Sequence, residues 1–216
     1  MNNKLEEALK RLNKILPLKE RQEMCSPQIK VLHQKILQSF ITKGRILNID
    51  EMALLVNNVP QAIKVLSEND MLTFSENAEP TGAYPFTMSK REHIVFVNGF
   101  KLHAMCALDA LAVAPMFEES TEINSLCRVT GEPVHIKMSG ENITNLQEVN
   151  NLHFGIVWGA ADSDSCCADS LCMEMIFLKD TEVARKWFSN DIKGREIFTL
   201  PEAVQFASRF FVPLLM

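Results

Sequence analysis

Six cysteines in a chain of 216 residues are the first side chains whose types can do chemistry, and they are unevenly spaced. Cys25 stands alone, Cys106 and Cys127 form a loose middle pair, and Cys166, Cys167 and Cys172 crowd together. In the run Cys106-Ala107-Leu108-Asp109 a carboxylate follows a thiol by three residues, a spacing that puts both on one face of a helix. Ala104, Met105, Ala107, Leu108, Ala110 and Leu111 surround the pair with apolar neighbours, where an acid is costly to bury without a partner. The loop and strand around Cys172 can supply the other half of a site. Two thiolates from distant segments hold a soft, two-coordinate metal ion, and a carboxylate beside them can move a proton.

Three other chemistries compete for these residues. A structural zinc site would draw on Cys127, Cys166, Cys167 and Cys172, with His135. Zinc ligands usually come as two pairs of cysteines two to four apart, and here Cys166 and Cys167 are adjacent while Cys127 has no mate nearby. A redox Cys-x-x-Cys pair is missing. His103 precedes Cys106 by one helical turn and would suit a thiol nucleophile, but no glycine-rich turn for an oxyanion hole stands near it. Buried free cysteine as a small hydrophobe is the plain alternative, and it fits Cys25 best. His33, His93 and His153 read as structural or exposed.

The composition is that of a globular protein, 47% hydrophobic and 23% charged, so a core forms without disulfides. A net charge of -5 gives no electrostatic reason for a nucleic-acid partner. No run approaches the roughly 18 apolar residues of a membrane span, and residues 1–23 lack the pattern of a secretory signal. A cytoplasmic location with reduced thiols is therefore expected.

The elements that must position these residues fall into two halves. Residues 5–16 read as a helix in an N-terminal extension, 1–24. Pro27 starts a second helix that Gly44 stops, a short one follows Asn48, and another covers 61–69. A hairpin region over 71–97 then completes the outline of a winged helix-turn-helix unit, 25–98. Its third helix carries one lysine against two acids, too little for phosphates and base edges, so a structural use is expected. From residue 99 the expectation is a buried helix over 101–114 ended by Pro115, and strands at 123–128 and 134–138 around a turn at Gly131. Further strands are expected at 151–158 and 172–178, a loop between them at 159–171, and helices at 182–188 and 204–211. The fold class is thus α+β, an N-terminal helical winged-helix-like unit packed on a mixed α/β domain with antiparallel strands, 99–216.

The run from Lys101 to Leu111, Lys-Leu-His-Ala-Met-Cys-Ala-Leu-Asp-Ala-Leu, resembles the signature of the alkylmercury lyases, the organomercurial lyases of bacterial mercury resistance. Cys127-Arg128-Val129-Thr130-Gly131-Glu132-Pro133-Val134 is similar to that family's Cys-x-x-Thr-Gly-x-Pro-Val segment. Cys172-Met173-Glu174-Met175-Ile176-Phe177, followed by Ala184-Arg185-Lys186-Trp187, resembles its second catalytic cysteine, apolar strand and helix tryptophan. The resemblance extends over about residues 27–210.

The resemblance implies an enzyme that cleaves the carbon–mercury bond of alkyl- and arylmercury compounds by protonolysis, without a cofactor. Cys106 and Cys172 are then the catalytic thiols that bind mercury, and Asp109 the proton-handling carboxylate that joins them around the ion. Cys127 is structural. Spacing to the strand and to Trp187 favours Cys172, with Cys166 or Cys167 the alternative second thiol. Otherwise the pair sits in a polar loop, placed to take over the product ion. Phe100, Met105, Phe154, Trp158 and Phe177 are expected pocket walls. The implied partners are small organomercurials, cytosolic thiols and a mercuric reductase receiving Hg(II), with no nucleic acid and no membrane. The competing function is a metal-sequestering or metal-responsive protein without lyase activity.

Overall fold

Helix boundaries follow local chemistry closely in the first third of the chain. A computed structural model describes residues 3–162 and 164–216. Met1 and Asn2 of the expected extension, and Ser163 of the loop expected over 159–171, lie outside the described residues. Helices α1 (Asn3–Ile15) and α2 (Leu18–Met24) open the chain. Helix α3 (Pro27–Lys43) starts at Ser26-Pro27, where proline needs no hydrogen-bond partner, and ends at Gly44 in the left-handed region, φ +70°. A reciprocal capping box between Asn48 and Glu51 sets α4 (Ile49–Ala53), and Asn58 caps α5 (Val59–Glu68).

The remaining elements are β1 (Thr73–Phe74), β2 (Pro80–Ala83), β3 (Phe86–Thr87), β4 (His93–Val97), β5 (Phe100–Ala104), α6 (Ala107–Phe117), β6 (Ser120–Leu126), β7 (Pro133–Ser139) and β8 (Asn142–Ile143). After them come α7 (Leu146–Val149), β9 (His153–Val157), β10 (Met175–Leu178), α8 (Thr181–Ser189), β11 (Arg195–Thr199) and α9 (Leu200–Phe211). The first eight strands form one antiparallel sheet in the order β1-β2-β3-β5-β4-β6-β7-β8, so the wing-like hairpin strands and those of the second half share a sheet. A second antiparallel sheet runs β10-β9-β11, joined to the first by a bridge from Cys127 to Phe177. The α+β architecture, helical at the N-terminus with antiparallel sheets beyond, is the expected one.

Helix α6 occupies the centre. Every residue from Ala107 to Met116 is buried, so it has no polar face, as befits a helix covered on all sides. It packs against β4, β6, β10 and α9. Helix α1 lies on α9, with Leu5, Ala8, Leu9 and Leu12 buried beneath it. No helix among the described residues is long and apolar enough to cross a membrane.

Three local expectations need correction. The helix expected over 101–114 is a strand, β5, followed by a helix from Ala107 that carries Pro115 within its last turn. Asn98 (φ 51°) and Gly99 (φ 80°) form the left-handed two-residue turn that returns β4 into β5, and cross-strand pairing outweighs the helix propensity of Lys-Leu-His-Ala-Met. Cys172 lies in a 3₁₀ turn, Leu171–Glu174, ahead of β10 rather than in it. Strand β11, absent from the expected elements, pairs with β9 and supplies the second sheet's far edge.

Candidate active site

Strand β5 delivers the chain to the protein's interior and α6 leaves from it, so the junction residue is held from both sides. That residue is Cys106. Its backbone is extended (φ -149°, ψ 179°), and its Sγ accepts from the Asp109 N–H at 3.4 Å, so a thiol serves as the N-cap of α6. Asp109 therefore sits in the first turn, where the positive end of the helix favours negative charge. Cys172 approaches from the 3₁₀ turn before β10, and its thiol faces Asp109 Oδ2 at 3.8 Å. One sulfur or oxygen from each of Cys106, Asp109 and Cys172 lies within 4.8 Å of the others, and all three residues are buried. With bonds of roughly 2.3 Å, the length of a zinc–thiolate bond, one soft ion can be shared by sulfurs no farther apart than this.

Burial decides the electrostatics. Asp109 is fully buried and its Oδ1 has no hydrogen-bond partner among the described residues. Desolvation pushes its carboxyl up to about 7, against the lowering effect of hydrogen bonds with Cys106 and Cys172. The Cys106 thiol is pushed up to about 12, again by burial first. Cys172 is raised well above an ordinary thiol by its hydrogen bonds with Cys106 and Cys167 and by burial. Burial thus favours the thiol form of both cysteines over the thiolate. A metal that binds sulfur must displace their protons, and the carboxylate beside them is the group able to take one.

The turn that carries Cys172 is tied down by charged side chains. Arg128 Nη2 donates to Met173 O at 2.8 Å, and Arg91 Nη2 reaches Asp169 Oδ1 at 2.8 Å. Met175 Sδ lies 3.6 Å from Cys106 Sγ, adding a soft thioether to the cluster. A cavity of about 250 Å³, lined in part by Lys90, Arg91, Met105, Arg128 and Met173, reaches Cys172 from the surface. Among the expected pocket walls, Met105 lines this cavity and the other four do not. Phe100 packs on Gly44, Phe154 meets Phe198 at 6.0 Å, Trp158 Nε1 donates to Glu196 Oε2 at 2.6 Å, and Phe177 meets His93 edge-on at 5.7 Å. Met173 and Met175 were not among the expected residues, although the Cys-Met-Glu-Met run displays them.

The other cysteines and histidines separate cleanly. Cys127 is buried at the bridge between the sheets, where its Sγ accepts from Lys179 N at 3.4 Å. Cys167 Sγ lies 3.8 Å from Cys172 Sγ, while Cys166 turns away to Asp169 Oδ2 at 3.2 Å. His103 Nδ1 is occupied by the Arg91 backbone, 2.8 Å from its carbonyl oxygen. His33 and His93 are buried against Gln22 and Ser125.

The sequence profile of the family described as MerB, alkylmercury lyase, matches residues 86–212, which include all of this cluster. The chain belongs to the alkylmercury lyase family. Curated alkylmercury lyases share low but extended identity with it. The Bacillus cereus protein is 27% identical over 168 residues, 77% of this chain and 75% of its own. The Streptomyces lividans protein is 22% identical over 152 residues, 70% of this chain and 69% of its own. In fold, the chain is similar to the crystal structure of the mercury-bound form of MerB2, with TM-score 0.74 and 20% identity over 96% of this chain and 100% of that one. Its function at the level of the family is that of the organomercurial lyases, on the mixed α/β fold of that group.

Proposed function

We propose that this member of the alkylmercury lyase family cleaves the carbon–mercury bond of alkyl- and arylmercury compounds by protonolysis, with Cys106, Cys172 and Asp109 as its catalytic residues. The reading rests on one observation: two thiols and an incompletely hydrogen-bonded carboxyl converge within 4.8 Å in a buried pocket. The substrate arrives as R–Hg–SR′, carried by a small thiol. Cys172, which lines the access cavity, exchanges with that thiol; its proton leaves with R′S⁻ and R–Hg–S–Cys172 remains. Cys106 then binds mercury as its proton passes to Asp109. Two donating sulfurs raise electron density on the carbon, and Asp109 returns the proton to it. The products are the hydrocarbon RH, Hg(II) held by two cysteines, and an Asp109 carboxylate. Burial favours this sequence, because it raises Asp109 to about 7, where one carboxyl can both accept and donate a proton near neutrality. Small cytosolic thiols, or a mercuric reductase, are the proposed recipients of the ion.

The test is to supply phenylmercury or methylmercury with excess thiol and to measure benzene or methane. Intact protein is expected to release hydrocarbon, and Cys106→Ser, Cys172→Ser and Asp109→Ala to release almost none. Tight mercury binding without hydrocarbon from the intact protein would instead identify a sequestering protein. Full activity in Cys172→Ser would remove that residue from the mechanism.

A further inference from the structure

Cys167 belongs to two places at once. Its sulfur lies 3.8 Å from Cys172 Sγ, against the buried cluster, yet the residue also lines a second and larger cavity of about 620 Å³. Cys166, Arg21, Asp70 and Ser170 share that lining. The cavity through which Cys172 is reached is lined by an entirely different set of residues. Cys172 and Cys167 are therefore neighbouring cysteines that line separate openings.

The position of Cys167 is fixed by buried and half-buried hydrogen bonds. Its N–H donates to Asp70 Oδ2 at 3.1 Å, the next N–H, of Ala168, donates to Tyr84 Oη at 2.8 Å, and the Tyr84 hydroxyl donates to Asp70 Oδ1 at 3.1 Å. Tyr84 is buried, and Asp70 holds a left-handed backbone (φ 51°) to meet the turn. This clamp points two adjacent cysteines in different directions, Cys167 toward Cys172 and Cys166 toward Asp169. A cysteine used only for packing would not need to lie beside a proposed mercury ligand and at the wall of a second cavity.

We propose that Cys167 is the acceptor thiol that draws Hg(II) off the buried site and presents it to small thiols in the larger cavity. The inference rests on the lyase reading for the source of the ion. In the transfer, a Cys167–mercury bond forms as the Cys106–mercury bond breaks, and the proton given up by Cys167 restores the Cys106 thiol. Mercury stays Hg(II) throughout. Two incoming thiols RSH then form Hg(SR)₂, and their two protons return Cys167 and Cys172 to thiols.

The experiment loads the intact protein directly with one equivalent of Hg(II), so that carbon–mercury cleavage is not required. The rate of mercury transfer to excess L-cysteine is then followed, together with the ultraviolet absorption of the sulfur–mercury bonds. Cys167→Ser and Cys167→Ala, checked for folding by circular dichroism, are expected to keep the ion but release it about tenfold more slowly, because exchange depends on which sulfur can be reached. Their sulfur–mercury absorption should match that of the unaltered protein, because Cys106 and Cys172 still hold the ion. Release at the unaltered rate by both variants would overturn the proposal. A protein that transfers mercury through Cys167 yet yields no hydrocarbon from phenylmercury would sink the lyase reading alone.

Discussion

At the scale of the residue, the informative group is Asp109, where two forces oppose each other. The first turn of a helix and the nearby thiols favour its anion; a helix end contributes at most about 2 kcal/mol. Complete burial favours the acid, and burial wins, lifting the carboxyl from 3.8 to about 7. Two outcomes follow. Because the proposed mechanism begins with Asp109 as a carboxylate, kcat/KM should rise with pH through about 7 under constant excess thiol, and Asp109→Asn should lose roughly a hundredfold or more of activity. Stability carries the opposite sign. With a folded-state pKa above the unfolded one, Asp109 favours the fold most below pH 3.8, and that contribution is lost as pH rises toward 7. Urea titrations should therefore show Asp109→Asn gaining on the unaltered protein by about 4 kcal/mol between these limits, since each pKa unit is worth about 1.4 kcal/mol. A constant difference across that range would show that Asp109 titrates normally.

At the scale of the element, the β5–α6 junction does structural and chemical work with the same sulfur. Cys106 caps α6 through its sulfur while presenting that sulfur to Met175 and the cluster. Serine is a good helix cap but a poor ligand for a soft metal, and alanine is neither. Cys106→Ser should therefore keep most of the stability while losing hydrocarbon release, whereas Cys106→Ala should also lose roughly 1 kcal/mol for the missing cap. Paired thermal melts and activity measurements separate the two roles; equal melting temperatures would mean that the sulfur does not cap the helix.

At the scale of the whole molecule, both ends of the chain close over the central helix. Helix α9 lies on α6, and α1 lies on α9, with Arg209 and Glu6 paired on the outside. Gln22 Nε2 contacts both His33 Nδ1 and Leu214 O at 2.9 Å, tying α2, α3 and the C-terminus together in the interior. The exposed ion pair adds little, so attachment of α1 depends on its apolar face. Leu12, only 1% exposed, should destabilise the protein by about 2–5 kcal/mol when cut to alanine. Chemical denaturation measures this directly, and a loss under 1 kcal/mol would mean that α1 is a loosely held extension.

Much of this was legible locally. Ser26-Pro27 and Gly44, the Asn48–Glu51 box, and the alternation on either side of Gly131 specify their own elements, because caps, turns and period-two burial are written in neighbouring residues. The motif runs around Cys106, Cys127 and Cys172 were likewise enough to name the family. The sequence by itself also determined that one thiol and one carboxyl sit three residues apart among apolar neighbours. Tertiary structure alone decided that residues 100–104 are a strand, since pairing with β4 outweighs their own preference. It alone also set the distance between Asp109 and Cys172, which is separated from it by 63 positions. The same holds for Cys166 and Cys167, adjacent in the chain yet turned apart by Asp70 and Tyr84. Such contacts join distant segments, and no local periodicity encodes them.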